Sequence, residues 1–166
     1  SLGDVLGRYA GAARAYEADI VVRICADRPL VAPEAIDLAV TTYQREKPDL
    51  AFNHIADGES HWPRGFGAEV LAAEQLYWLD ENAVSQPHRE HVTLYMWDRR
   101  ADFKIIPVPC PGEIDPGYAG VALDVDRPAD LEKLRELCHG LEPASSATTI
   151  MQRWRASRFA GSIDVS

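Results

Sequence analysis

Four β-branched residues fall within five positions, Ile20-Val21-Val22-Arg23-Ile24, and the run stops at Cys25-Ala26-Asp27-Arg28-Pro29. A short, nearly continuous apolar run of this kind is what a strand covered on both faces looks like, as in a parallel sheet between helices. The run is therefore expected to form the central strand of an α/β fold. Arg23 interrupts it, so a strand built here must give Arg23 a partner. Pro29 cannot donate to a ladder, and the strand ends before it. Asp27 then sits on the loop leaving the carboxyl end of the strand, the edge at which open α/β sheets bind ligands. An acid there suits a hard divalent cation, which takes a few carboxylate oxygens together with water and substrate phosphates. The same position suits a solvated loop acid that forms a turn before Pro29.

Strand and helix alternate around this run. Asp4 is placed to cap a helix in which Val5, Leu6, Tyr9, Ala12, Ala13 and Tyr16 recur at helical spacing. Pro33 suits the first turn of a second helix reaching about Lys47, and Leu50 to Asn53 reads as a short strand. Asp57 to Ser60 is a polar turn, and His61 to Leu71 is a Gly- and Pro-bearing loop feeding a strand. Leu76 to Asn82 closes a helix, and His88 to Trp97 has amphipathic helical character. Phe103 to Val108 and Val121 to Val125 read as strands, and Pro128 with Asp130 starts a helix through Leu131, Leu134, Leu137 and Cys138. This order gives an α/β fold, a three-layer sandwich on a mostly parallel, Rossmann-like sheet. The domain spans 1–140, followed by a linker and helical tail over 141–166.

A chain of 166 residues is one domain with room for a real core. Its net charge of −9 argues against a partner bound through a broad basic surface, so no nucleic acid is expected. A small anionic ligand stays open if local arginines supply the positive field. No apolar run approaches the ~20 residues that span a bilayer, and no signal peptide is visible, so no membrane association is expected. Cys25, Cys110 and Cys138 are odd in number and lack metal-ligand spacing, which fits reduced thiols and a cytoplasmic location.

Five pieces in order carry a family resemblance: Asp4-Val5-Leu6-Gly7-Arg8-Tyr9, Val22-Arg23-Ile24-Cys25-Ala26-Asp27-Arg28-Pro29-Leu30, Trp62-Pro63-Arg64-Gly65, Arg89-Glu90-His91-Val92-Thr93, and Leu123-Asp124-Val125-Asp126-Arg127-Pro128-Ala129-Asp130-Leu131. Together they resemble the sugar-activating cytidylyltransferases of the acylneuraminate and Kdo type, most closely the spore-coat polysaccharide biosynthesis branch. The resemblance implies a nucleotide-diphospho-sugar transferase type of sheet. It also implies a nucleotidyltransferase reaction: CTP and a sugar or sugar acid give a CMP-sugar and pyrophosphate, for surface polysaccharide or glycan.

The resemblance implies roles for six residues. Asp27 and Asp126 would be the catalytic acids that hold Mg²⁺; for Asp126 a helix N-cap is the alternative, since Pro128 follows by two. Arg64 would be the sugar-side cation, with Glu69 fixing it or a hydroxyl; the alternative is a loop arginine stacked on Trp62. Arg89 and His91 would face the substrate from one helix, unless they belong to a solvated face. Asp124 is either a second acid near the metal or an edge residue.

The chain also departs from the family pattern. Cys25-Ala26 stands where a small hydroxyl pair is usual, Arg28 where a smaller residue is common, Leu94 in place of a proline, and Ala129 in place of an acid. The family's opening strand and its Arg-, Ser-, Gly- and Lys-bearing triphosphate loop have no counterpart here. The domain is therefore expected to be N-terminally truncated relative to the family and inactive as this chain alone, with the missing part on a second polypeptide, cut from a longer protein of which this is a piece, or lost from a remnant. The sheet edge so exposed favours self-association, and a homodimer is expected. The alternative to an enzyme is a non-catalytic sugar-binding or dimerisation module derived from the same fold. A retaining-type glycosyltransferase is a poor third reading, because Asp27 is followed by Arg28-Pro29 rather than a second acid.

Overall fold

The computed structural model describes residues 3–53, 60–114 and 121–157. Helix α1 (Val5–Ala15) starts where the Asp4 carboxylate accepts the Gly7 N–H at 3.0 Å, and it buries Leu6, Ala10 and Ala13. Strand β1 (Ile20–Arg23) follows. Helix α2 (Pro33–Glu46) has Pro33 in its first turn and ends at Lys47 in the left-handed conformation. Strands β2 (Leu50–Phe52) and β3 (Glu69–Ala72) lead into α3 (Ala73–Asn82). Short helices α4 (Gln86–Glu90) and α5 (Leu94–Asp98), strand β4 (Ile105–Pro107), α6 (Pro128–Cys138) and α7 (Ala147–Ala156) complete the described chain.

The sheet order is β1-β3-β2-β4. β3 runs antiparallel to both β1 and β2, while β2 and β4 are parallel. Three strands therefore share a direction and β3 alone opposes them. The two-residue alternation of the strands sorts the apolar side chains between two faces. Leu50, Leu71 and Val21 pack with Leu6, Ala10, Leu76 and Leu79 of α1 and α3. Ala51, Val70, Ile20 and Val22 pack with Ala39 and Tyr43 of α2. Helix layers on both faces make the three-layer α/β fold expected from the sequence.

One expectation fails here. β1 is not the central strand: it lies at one end of the described sheet and its four residues are half-buried. The apolar pattern reports two covered faces, and β1 has them, but a face pattern says nothing about neighbours along the ladder. β3 enters antiparallel between β1 and β2 and takes the inner place.

Two other readings are sharpened. The 88–97 stretch is two short helices, because Ser85 and Pro87 start α4 while Thr93 turns inward to a buried carboxylate and breaks the helical path. The 121–125 segment makes only an isolated parallel bridge, Ala122 with Arg64. A third apolar cluster joins Trp62, Phe66 and Leu123 to Leu134 and Leu137 of α6. Ile150, Met151 and Trp154 of α7 belong to the same cluster, and Glu34 accepts the Ala147 N–H at 2.7 Å. Most of the turn read at 57–60, together with His54, lies outside the described residues. No helix among the described residues is long and apolar enough to cross a membrane.

Candidate functional site

β1 delivers residues 24–28 to one end of the sheet. There the Val125 N–H donates to the Asp27 carbonyl at 2.9 Å, which draws the 121–126 segment alongside the β1 loop. This backbone bond brings the segment carrying Asp126 beside the loop carrying Asp27. Asp27 Oδ1 is buried and has no hydrogen-bond partner. A buried carboxylate oxygen without a donor is costly, and a cation or a bound ligand's donor would relieve it. Asp126 is different, with its side chain 59% exposed. It is not the N-cap of α6; Arg127 holds that position, and the Asp130 carboxylate accepts the N–H groups of Asp126 and Arg127 at 3.2 and 2.9 Å. Asp130 does the capping, so the Asp126 carboxylate is not used at the helix start.

The other side of this segment is held by the Trp62-Pro63-Arg64-Gly65 loop. The Arg64 N–H donates to the Val121 carbonyl and the Leu123 N–H donates to the Arg64 carbonyl, both at 2.9 Å. Gly65 has φ +105°, and a Cβ there would lie 2.7 Å from the Leu123 backbone, so only glycine fits. The Arg64 guanidinium donates to Asp124 at 3.0 Å and approaches Asp126 at 3.6 Å. Trp62 does not stack on it: Trp62 is fully buried and donates its indole N–H to the Val108 carbonyl. Arg64 thus ties both late acids together, and Asp124 is its ion-pair partner.

Glu69 is not the residue that fixes Arg64. It is 2% exposed on β3, directly opposite Arg23 on β1, and the two side chains meet at 2.6 Å. Thr93 donates its hydroxyl to the other Glu69 oxygen at 2.8 Å. This is the partner that the interrupted apolar run demanded for Arg23. Burial alone would lower the Arg23 pKa, but the charge and hydrogen bond of Glu69 outweigh it and hold the guanidinium more firmly protonated.

Arg23 and Glu69 form the floor of a pocket of about 540 Å³, within the size range of small-molecule sites. Cys25 and Arg28 line it from the β1 loop, and His91, Thr93, Leu94 and Trp97 line it from the α4–α5 region. Arg28 donates to the Gly67 carbonyl at 2.8 Å.

Arg89 does not face this pocket. Its guanidinium contacts Asp4 at 2.6 Å and Asp80 at 2.8 Å and donates to the Asp80 carbonyl, pinning α4 to α1 and α3. Burial would raise the Asp80 pKa, yet hydrogen bonds and charge from Arg89 and Arg14 hold it below the ordinary carboxylate range. Arg89 and His91 are therefore not a substrate-facing pair on one helix. His91 is the C-terminal cap of α4 and reaches the pocket, while Arg89 is turned inward onto the two acids.

The structure adds residues that motif reading did not assign. Arg23, Arg28, Thr93 and Trp97 reach the pocket; the sequence signals of the first three were a charge in an apolar strand, a departure at Arg28 and a motif threonine, and Trp97 carried none. Asn53 is fully buried just after β2; its amide N–H donates to the Ala35 carbonyl and its side-chain oxygen accepts the Ala68 N–H, both at 2.6 Å. Nothing in the sequence singled it out beyond the end of a strand. No group of three or more His, Cys, Asp or Glu side chains is placed to hold a metal ion among the described residues. A cation at Asp27 and Asp126 would need its remaining oxygens from a ligand.

No family model matches the sequence. The chain is 29% identical over 134 residues to an uncharacterized protein of Methanocaldococcus jannaschii, covering 81% of this chain and 52% of that protein. It is 26% identical over 151 residues to the spore coat polysaccharide biosynthesis protein SpsF of Bacillus subtilis, covering 89% of this chain and 59% of SpsF. A solved structure of a cytidylyltransferase from Leptospira borgpetersenii superposes with a TM-score of 0.81 at 25% identity, over 93% of this chain and 63% of that one. The chain thus spans about half to three-fifths of the length of these relatives. The likeness read from five motifs holds in sequence and in fold.

Proposed function

We propose, from the chain's likeness to a cytidylyltransferase structure and to SpsF, that it forms the sugar-side part of a CTP-dependent nucleotidyltransferase. It would move CMP from CTP to a sugar or sugar acid for surface polysaccharide or glycan synthesis. The observation that carries this reading is Asp27: a buried carboxylate oxygen without a partner, beside the Asp126 segment and between pocket-lining Cys25 and Arg28.

In the proposed reaction an acceptor hydroxyl oxygen attacks the α-phosphorus of CTP and forms a new P–O bond. The bond from that phosphorus to the bridging oxygen breaks, pyrophosphate leaves with the electron pair, and the hydroxyl proton passes to solvent or a base. Such chemistry is mostly positioning and charge neutralisation. Asp27 and Asp126 would hold Mg²⁺, which when bound neutralises charge on the phosphate oxygens. Arg64 keeps Asp126 beside Asp124 and limits the repulsion between them. The Arg23–Glu69–Thr93 cluster sets the pocket floor against which a sugar packs, with Trp97 and Leu94 as apolar walls. Three free cysteines fit a cytoplasmic site of action. The outer edge of β1, which pairs with no strand among the described residues, supports association with a second copy or another polypeptide.

The test is to incubate the protein with CTP, Mg²⁺ and a panel of sugars and sugar acids, at protein concentrations matching the sugar, and to look for a CMP-sugar by mass spectrometry. A product lost in Asp27→Asn and Asp126→Asn supports the reading. Absence of both a CMP-sugar and any binding of CTP or CMP-sugar overturns it; sugar binding alone would favour a non-catalytic module.

A further inference from the structure

We infer that a second cavity, at the end of the sheet opposite Asp27, binds a small organic cation whose head carries N–H donors, an alkylammonium or an alkylguanidinium. The cavity, of about 330 Å³, opens between the last turn of α2 and the start of α3, and Tyr43, Asp49, Glu74, Gln75 and Trp78 line it. Ala72 on its wall pairs with Ile20, and Asp49 directly precedes β2. The cavity therefore lies where β1 and β2 begin, whereas Asp27 follows the end of β1. Tyr43 points to a ligand here. It is only 9% exposed and packs with Ala39, Ala51 and Val70, yet its hydroxyl makes no hydrogen bond among the described residues. A phenol so deeply set, with its polar end at a cavity, is completed by a polar group that enters the cavity.

The charges around that hydroxyl decide the sign of the ligand. Burial raises the Tyr43 pKa, and the negative charges of Asp49 and Glu74 raise it further, so both carboxylates lie close to the phenol. Glu74 makes no ion pair among the described residues, and Asp49 accepts only backbone, the Lys104 N–H at 2.7 Å. The Lys104 ammonium is turned away to the Glu46 carbonyl. The first turn of α3 adds a positive dipole end and the last turn of α2 a negative one, which offset each other and leave the two carboxylates in command. Trp78, 41% exposed and held edge-on against Tyr95 and Phe103, gives the cavity a fixed aromatic wall for a cation. A metal ion fits poorly, because no third carboxylate, His or Cys joins the two acids among the described residues. A quaternary ammonium would leave the Tyr43, Gln75 and carboxylate oxygens without donors, so the head that fits bears N–H groups.

The experiment is calorimetric titration of the full chain at low salt, without nucleotide or sugar, using agmatine, n-butylamine, choline and the neutral n-butanol. Agmatine or butylamine should saturate a single site about tenfold more tightly than choline, and n-butanol should show no saturable binding. The affinity should fall as salt is raised. Glu74→Gln keeps the shape of an exposed side chain and should weaken the amine about tenfold. Glu81→Gln removes the same charge from the exposed far end of α3, outside the cavity, and should leave the affinity unchanged. Tyr43→Phe keeps the packed ring and should weaken binding through the hydroxyl alone; thermal unfolding checks that each variant is folded. The inference is overturned by an absence of saturable amine binding, by choline or n-butanol binding as tightly as the amines, by full affinity in Glu74→Gln, or by equal losses in Glu74→Gln and Glu81→Gln. The last outcome would mean that the amines respond only to the overall charge of −9.

Discussion

Arg23 and Glu69 face each other across the β1–β3 ladder, and their side chains close to 2.6 Å with Glu69 almost fully buried. The pair locks the register of an edge strand that pairs with only one neighbour among the described residues. It also delivers a fixed, neutral floor to the pocket.

Breaking that pair from one side strands the other charge. Glu69→Gln should destabilise the fold by roughly 3 kcal/mol, the lower end for a buried pair because Arg23 keeps some solvent contact. Replacing both, Arg23→Met with Glu69→Leu, should recover much of the loss, since no buried charge is then unpaired. Urea unfolding of the two variants decides it: equal losses in single and double variants would show that the pair is not the cause.

Arg89 makes a second prediction, through pH. The Gly7 N–H and the Arg89 guanidinium hold the Asp4 pKa down, and Arg89 with Arg14 holds Asp80 down against its burial. Groups depressed in the folded state stabilise above their unfolded pKa, and that stabilisation is lost as pH falls through the folded value. The wild type should therefore lose stability progressively below about pH 4. Arg89→Met should be less stable at neutral pH and show a flatter acid limb. An identical acid limb in both proteins would remove Arg89 from this role.

Gly65 makes a third. Its left-handed φ and the 2.7 Å approach to Leu123 leave no room for a side chain. Gly65→Ala should cost about 1–3 kcal/mol in backbone strain alone. It should also loosen the 121–126 segment, seen as faster amide exchange at Leu123 and Val125 than at β3. Unchanged exchange there would mean the segment is held without the Arg64–Gly65 loop.

What could be read in the sequence follows from which signals are local. Caps and turn residues at Asp4, Pro33 and Pro128 set helix starts that the structure reproduces, because each acts within one turn. The need of Arg23 for a partner was legible for the same reason, but the partner's identity was not, since it depends on β3 entering between β1 and β2. The same insertion moved β1 from the centre to the end of the sheet. Arg89 shows the limit of motif reading: its place in Arg89-Glu90-His91 carries no mark that its partners are Asp4, 85 residues earlier, and Asp80. The helical tail within 141–166 read as separate because helical amphipathicity gives a buried face without saying which cluster receives it; Trp154 and Met151 sit with Trp62.

The last prediction concerns Asp27, whose environment differs sharply from that of Asp126. Asp27 carries a buried oxygen with no donor, while Asp126 is mostly exposed and lies 3.6 Å from Arg64. Removing a negative charge from a buried, unsatisfied position relieves a desolvation cost, so Asp27→Asn should melt at the same temperature as wild type or higher when no divalent cation is present. Asp126→Asn should change little, because an exposed ion pair contributes little. With Mn²⁺ and CTP added together, the ordering should reverse. Wild type should gain stability through binding to the folded state, and both variants should gain less, since the cation needs both carboxylates as well as the phosphate oxygens. Mn²⁺ alone should stabilise weakly. If Asp27→Asn keeps the full shift with Mn²⁺ and CTP, its buried oxygen serves the loop before Pro29 rather than a cation, and the metal assignment at this end of the sheet is wrong.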